Sequence, residues 1–428
     1  MVTKLHFGNI LTPTFTGDID FLPNSALCEQ DGKIVFIGTE KESKSRYSNQ
    51  QIVDHKNSII MPGMIDLHTH LPQYDAVGIG QGTLLEWLQK YIFPTEEKFS
   101  NLVYARYIAS KFFKDLLTNG TTTAVVFGPV QKEATDIAFK EAEKSGIRLF
   151  MGKTMMDIGD SDLVTNTKQN IDDSLSIAEK WHDTNNHLLN YIMLPRYAGS
   201  CSLELMIKSA EISRINNLMI QTHIAENEEE LKYILKLHPK YESYLDIYKF
   251  AGMVGENGQF VHCIYLTIRE KKLIKDSGSS IIHCPVSNRY LQSGVMPLIQ
   301  YLNQNIPIGL GTDIAGGYSL SILNEAREAI ESTKTFNIIN NTQEQILTPV
   351  KAFKLTNIDA AKILKISHET GSLEIGKSAD MIVVDTKDTL DNLQKQSSSS
   401  IIEKIIYKYQ DMKIENVYVK GKLISPLP

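Results

Sequence analysis

From about residue 63 onward the chain alternates between two textures: short runs apolar at nearly every position, and longer runs with apolar residues at helical spacing. NLVYARYIASKFFKDLLTNG, residues 101–120, predicts an amphipathic helix closed by Gly120, and TTTAVVFG after it predicts a buried β-branched strand. Strand-like runs recur at RLFMGKTM, NYIMLPR, LMIQTHI, QFVHC, SSIIHCP and PIGLGTD, with helical segments such as SLELMIKSAEISRINN and TIREKKLIKDSG between them. Counting the strand that carries His68, this gives eight strand-and-helix units. Continuous apolar strands separated by helices imply a parallel sheet covered on both faces. Eight units predict an α/β protein with a closed (β/α)8 TIM-type barrel over residues 63–371.

The two ends have a different texture. Residues 1–62 and 372–428 carry short alternating runs with turns (GKIVFIG, ADMIVVD, NVYVKGKLI), which predict a small β-sandwich built from both termini. The QSSSS run is too short for a low-complexity domain, and Ser400 is expected to cap the helix IIEKIIYKY.

Composition narrows the function classes. The length of 428 residues, with 42% hydrophobic and 22% charged, suits one large domain and a smaller one. The 44 basic and 50 acidic residues are intermixed at a net charge of −6, so there is no basic stripe for nucleic acid or an anionic membrane. Cys28, Cys201, Cys263 and Cys284 form no CxxC pair, which argues against a disulfide framework and for reduced thiols. The N-terminus has no signal-like apolar region, and no window holds the roughly 18 apolar residues of a membrane helix. A soluble cytoplasmic protein is expected.

A barrel of this kind gathers its chemistry at the C-terminal ends of its strands. There the sequence places His68 and His70 (MPGMIDLHTHLPQYD), Arg196, His223, His262, His283 and Asp313. Each alone reads as a buried polar residue or a cap, His262 and His283 especially, but six strand ends agree. Alternation along a strand makes His68 and His70 project together. Three imidazoles and one carboxylate suit one divalent ion, zinc first and iron second, with a position left open for water whose pKa falls toward about 7. Glu226, three residues after His223, reads equally as a proton carrier beside that water or as a first-turn helix acid. His6, His55, His182, His187, His238 and His368 lie in polar or terminal segments and are expected to be solvated.

The pieces PGMIDLHTH, HIAEN, VHC, IIHCPVSN, GLGTDIAGG and GSLEIGKSADMIVVD, in that order, resemble the metal-dependent amidohydrolase superfamily over nearly the whole chain. HTHLPQYD, LLEWLQKYIFPTEEKF, NGTTTA, PRYAGSCS and GTDIAGGYS are similar to its guanine deaminase family. The resemblance implies metal ligands at His68, His70, His223 and Asp313, with Glu226 as proton shuttle to the ring nitrogen and His262 beside the attacking water. It implies Gln73 and Arg196 at the purine edge, Tyr197 stacking on the ring, Asp313 accepting the water's proton, guanine as substrate, and a homodimer.

Some positions depart from the family pattern: Tyr197 stands where phenylalanine is common, Val286 where asparagine is, and Cys263 where glycine is usual. Val286, Arg289 and Tyr290 leave the pocket rim open to pterin, 8-substituted guanine or triazine amines. Two rival classes remain. A binuclear cyclic-amide hydrolase would need a bridging lysine, for which Lys153 in MGKTM is the nearest candidate, though on the third strand. A non-catalytic binding barrel would have little use for an activated-water site. The H-x-E and P-C-x-x-C pattern of cytidine-type deaminases is not matched.

Overall fold

The computed structural model describes residues 3–425 apart from 49, 81, 388, 389, 391 and 392. The terminal strands are β1 (Thr3–Pro13), β2 (Ile19–Gln30), β3 (Lys33–Thr39) and β4 (Gln51–Pro62). Eight staves follow: β5 (Met64–His70), β6 (Thr121–Gly128), β7 (Arg148–Met155), the interrupted pair β8 (Leu189–Tyr191) and β9 (Leu194–Pro195), β10 (Ile220–Ile224), β11 (Gly258–His262), β12 (Ser280–His283) and β13 (Ile308–Leu310). The chain ends on β14 (Met381–Asp385), β15 (Lys413–Val419) and β16 (Lys422–Ser425).

The staves pair in parallel as β5-β6-β7-β8 and β10-β11-β12-β13, with β9 beside β7. Two seams close the ring. At one, the Met193 N–H donates to the Met219 carbonyl at 2.9 Å and the Gln221 N–H to Met193 at 3.0 Å; at the other, the Asp313 N–H donates to His68 at 2.8 Å. The stave expected over NYIMLPR is therefore two short strands, because Met193 turns its hydrogen bonds to the neighbour on the other side.

Alternation within one stave explains the unbroken apolar runs. On β6, Val125 and Phe127 join an inner cluster with Ile65, Leu67, Val261 and Ile282, while Ala124 and Val126 join the outer core under the helices. Helix Leu102–Thr118 starts on Asn101, whose side chain accepts the Val103 and Tyr104 N–H groups, and it buries Ile108, Phe112, Phe113 and Leu116. Gly120, at φ +86°, makes the turn into β6.

The seven terminal strands share one hydrogen-bonded ladder, β16-β15-β14-β4-β1-β2-β3, in which β14 from the C-terminal part lies antiparallel to β4 from the N-terminal part. Hydrophobic side chains pack on it in separate clusters, Leu5, Phe7, Cys28 and Phe36 in one, and Ile10, Leu27, Ile60 and Val383 in another. Helix Ser398–Lys408 buries Ile401, Ile402, Ile405 and Ile406. Its cap is Ser397 rather than the expected Ser400: the Ser400 N–H donates to Ser397 Oγ at 3.2 Å, because a capping side chain reaches the third residue of its helix.

His6 and His55 are also corrected. Both are buried, with His6 Nδ1 3.3 Å from His55 Nε2 and both rings edge-on to Tyr418. Burial, then the neighbouring His55, lowers the His6 pKa to about 3, so the pair is neutral. His238 is half-buried and donates from Nε2–H to the Ala198 carbonyl at 3.2 Å, whereas His182, His187 and His368 are exposed as expected. All four cysteines are free and buried. Among the described residues no helix is long and apolar enough to cross a membrane.

Candidate active site and metal centre

Every strand-end residue named from the sequence lies at the same mouth of the barrel, but not all of them meet. His68 and His70 leave the end of β5 on one face, as alternation requires. Their Nε2 atoms are 3.0 Å apart; His223 Nε2 lies 3.3 Å from His70 Nε2, and Asp313 Oδ1 is 3.2 Å from both His68 and His70 Nε2. His68, His70 and Asp313, all buried, and the partly buried His223 thus form a group with the spacing of a metal site.

The fit to a cation follows from where the protons are. His68 Nδ1–H donates to Gln221 Oε1 at 2.6 Å and His223 Nδ1–H donates to the Arg196 carbonyl at 2.7 Å. With Nδ1 engaged outward, each ring points its Nε2 inward, the orientation of a metal-ligating imidazole. Burial, then the neighbouring imidazoles, holds His223 well below its ordinary pKa, and burial lowers His70 to about 3. Lone pairs converging on one another and on a carboxylate oxygen repel unless a cation lies among them.

His283 does not join. It is buried, neither ring nitrogen has a hydrogen-bond partner among the described residues, and burial lowers its pKa to about 3. Lys153 is buried and its ammonium donates to Asn170 Oδ1 at 2.7 Å; burial lowers its pKa to about 8.

Across the cluster, Glu226 Oε2 stands 3.4 Å from His262 Nε2, which is 3.7 Å from Asp313 Oδ2. Glu226 is no first-turn acid: the next helix begins at Glu228 with Asn227 as its cap. Ala225, at φ +47°, turns the Glu226 side chain into the cleft instead. Burial, then the charges of Asp313 and Glu230, raises the Glu226 pKa well above the ordinary carboxyl range. Asp313 is held well below it; burial opposes this, and the contacts of His68 and His70 outweigh it. One acid keeps its proton while its neighbour stays ionised, the split that acid–base chemistry needs. Cys263, where glycine is usual, lies at φ +53° next to His262 at φ +72°, which gives the physical reason for that glycine.

The cleft is lined by Gln73, Arg196, Tyr197, Leu84, Trp87 and Leu291 beside the cluster. The doubtful rim residues stand back from it. Val286 donates its N–H to Glu325 Oε2 at 3.2 Å, Arg289 pairs with Glu328, and Tyr290 lines the neighbouring outer depression with Trp87 and Tyr91.

Four supporting residues escaped the sequence reading. Asp66 accepts the His68 N–H at 3.1 Å and the Thr312 N–H at 3.0 Å, tying β5 to the chain just beyond β13 beneath the cluster, and burial raises its pKa to about 7. Gln221 orients His68, and Asn288 Oδ1 accepts the His262 Nδ1–H at 2.8 Å. Glu96 accepts from Arg196 at 2.7 Å and from Gln73 at 3.0 Å. The usable signal was register: Asp66 and Gln221 each lie two residues before a site histidine on the same strand, hence on the same face.

A buried, cation-shaped donor set at the C-terminal mouth of a (β/α)8 barrel, beside a β domain from both termini, defines a class of metal-dependent hydrolases. The chain belongs to the amidohydrolase family, whose model matches residues 59–424. The guanine deaminase of Dictyostelium discoideum is 32% identical to it, covering 99% of this chain and 98% of that protein. That of Escherichia coli (strain K12) is 33% identical over 94% of this chain and 92% of its own. The crystal structure of guanine deaminase from C. acetobutylicum, with guanine bound in the active site, superposes with a TM-score of 0.92 at 32% identity, covering 98% of this chain and 99% of that one.

Proposed function

We infer that this chain converts guanine and water to xanthine and ammonia, with His68, His70, His223 and Asp313 holding one divalent ion, zinc in preference to iron. The observation that carries this reading is the inward convergence of the imidazole Nε2 atoms on Asp313, with Glu226, its pKa raised by burial, facing them across the cleft. The guanine deaminase relatives support the substrate.

When bound, the ion acts as a Lewis acid that brings the pKa of water toward about 7. Asp313 accepts the proton of the attacking water, and His262, fixed by Asn288, steadies that water through Nε2. Glu226 gives its proton to the ring nitrogen beside the carbon under attack, where the C–O bond forms. The resulting tetrahedral carbon carries hydroxyl and amine. Glu226 then takes the hydroxyl proton while Asp313 protonates the amine; the C–N bond breaks, ammonia leaves, and the carbonyl of xanthine remains. Gln73 and Arg196 bind the purine edge and Tyr197 packs on its face. The same family resemblance supports a homodimer, and the free buried thiols suit a reducing cytoplasm.

The test is to offer guanine, pterin, adenine and cytosine to the purified protein and to measure ammonia together with metal per chain. Ammonia from guanine with about one ion per chain is expected. Two ions, or no ammonia from any of the four, would overturn the reading.

A further inference from the structure

Glu96 touches neither the metal cluster nor the cleft, yet it is 2% exposed and fully engaged. Its Oε2 accepts from Arg196 Nη1 at 2.7 Å and its Oε1 accepts from Gln73 Nε2–H at 3.0 Å. Arg196 and Gln73 are themselves only 4% and 3% exposed, so these bonds are made in low dielectric. One turn earlier on the same helix, Phe93–Glu97, the Phe93 ring lies 5.0 Å from the Arg196 guanidinium carbon. The helix therefore holds Arg196 with two side chains spaced i, i+3.

The contact to Gln73 decides more than position. An amide can present either its oxygen or its NH2 to a ligand, and which one it shows is set by its partners. Gln73 Oε1 accepts the Ala315 N–H at 3.1 Å, and Glu96, a pure acceptor, can be met only by Nε2. Both constraints fix the same rotamer. One Nε2–H is used on Glu96 and the other is left for the cleft. Arg196 has donors only. The wall beside the metal cluster is therefore a donor wall, and a residue behind it makes it so.

We propose that Glu96 is the positioning residue that sets this hydrogen-bond polarity, so that the cleft selects amino-heterocycles whose edge offers acceptors, a ring carbonyl together with an unprotonated ring nitrogen. This rests on the deaminase reading above and adds the origin of its selectivity. A base with an amine in place of the carbonyl meets donors with donors and leaves buried groups unpaired.

The experiment compares wild type with Glu96→Gln and with the exchange variant Gln73→Glu/Glu96→Gln, using guanine, pterin and adenine, with metal per chain and thermal midpoint measured on the same samples. In Glu96→Gln, Gln73 keeps only the Ala315 N–H to orient its amide, and Arg196 loses its carboxylate partner. KM for the carbonyl-bearing substrate should rise by roughly 10- to 100-fold, with kcat changed by less than about threefold and metal retained. The exchange variant restores one carboxylate and one amide next to Arg196 with their places inverted, and its KM should stay high. A residue needed only for folding would lower the thermal midpoint or the active fraction and leave KM alone. An unchanged KM in Glu96→Gln, or a wild-type KM in the exchange variant, would overturn the proposal. Wild-type turnover of pterin but not guanine would refute the guanine assignment alone, because the change in KM for pterin still tests the wall.

Discussion

Asp313 and His68 meet twice: the Asp313 N–H donates to the His68 carbonyl at 2.8 Å, and Asp313 Oδ1 lies 3.2 Å from His68 Nε2. The first contact closes the barrel between its eighth and first staves, and the second brings carboxylate to imidazole. Ring closure and the spacing of the proposed ligands are thus one feature of the fold. A side-chain truncation at position 313 removes the second contact and leaves the first, so it separates metal binding from folding.

Asp313→Ala and His223→Ala should each keep the far-ultraviolet circular dichroism of the parent while losing bound metal and deamination, since the site needs every ligand deprotonated and in place. Metal content by atomic emission on dialysed protein checks this. A metal-free variant that still releases ammonia would end the assignment.

Glu226→Gln keeps the shape of the side chain but cannot pass a proton back and forth. The expected result is retained metal and a kcat lower by roughly 10² to 10⁴, the usual scale for a positioned acid or base. Near-normal turnover would assign the raised pKa to burial alone.

Arg196→Met removes donors from the wall proposed to read the base and leaves the proposed metal ligands in place. KM for guanine should rise strongly while the metal stays bound, and wild type should discriminate against adenine by about 10⁴, as sites built on such bonds do. Efficient adenine deamination by wild type, or an unchanged KM in the variant, would show that Arg196 does not read the base.

What the sequence disclosed followed periodicity. Two-residue alternation put His68 beside His70, and the eightfold rhythm placed the strand-end residues at one mouth. What it hid depended on contacts between distant segments. Glu96 lay inside a quoted motif, but nothing local says that it reaches Gln73, 23 positions earlier, and Arg196, 100 positions later. His6 and His55 looked solvated because a polar residue in a terminal strand is usually outward, whereas here two strands place them against each other and against Tyr418. His283 has the same strand-end address as His262 and takes no part in the proposed site, since a strand address fixes height in the barrel but not which way the ring turns.

The join between barrel and terminal sheet includes a buried ion-pair group beside its apolar contacts. Arg148, at the start of β7, reaches Asp380 through Nη2 at 3.0 Å and Glu369 through Nη1 at 2.7 Å, and Arg148 and Asp380 are each 1% exposed. Burial alone would raise the Asp380 pKa, but the Arg148 charge outweighs it and the carboxyl stays below its ordinary value. A carboxyl depressed in the folded state contributes stability that is complete above its unfolded value, about 3.9, and is lost as pH falls through the lower folded value. Arg148→Met takes away the opposing charge and leaves Asp380 buried without it, at a cost of about 3–5 kcal/mol near neutrality. In the variant the Arg148 charge no longer opposes burial, so the Asp380 pKa rises and protonation on acidification relieves part of the penalty. The stability gap between wild type and variant, read from urea midpoints, should therefore be widest at pH 7 and narrow as pH falls toward 4. A gap of constant size over that range would show that Arg148 contributes by packing rather than by its charge.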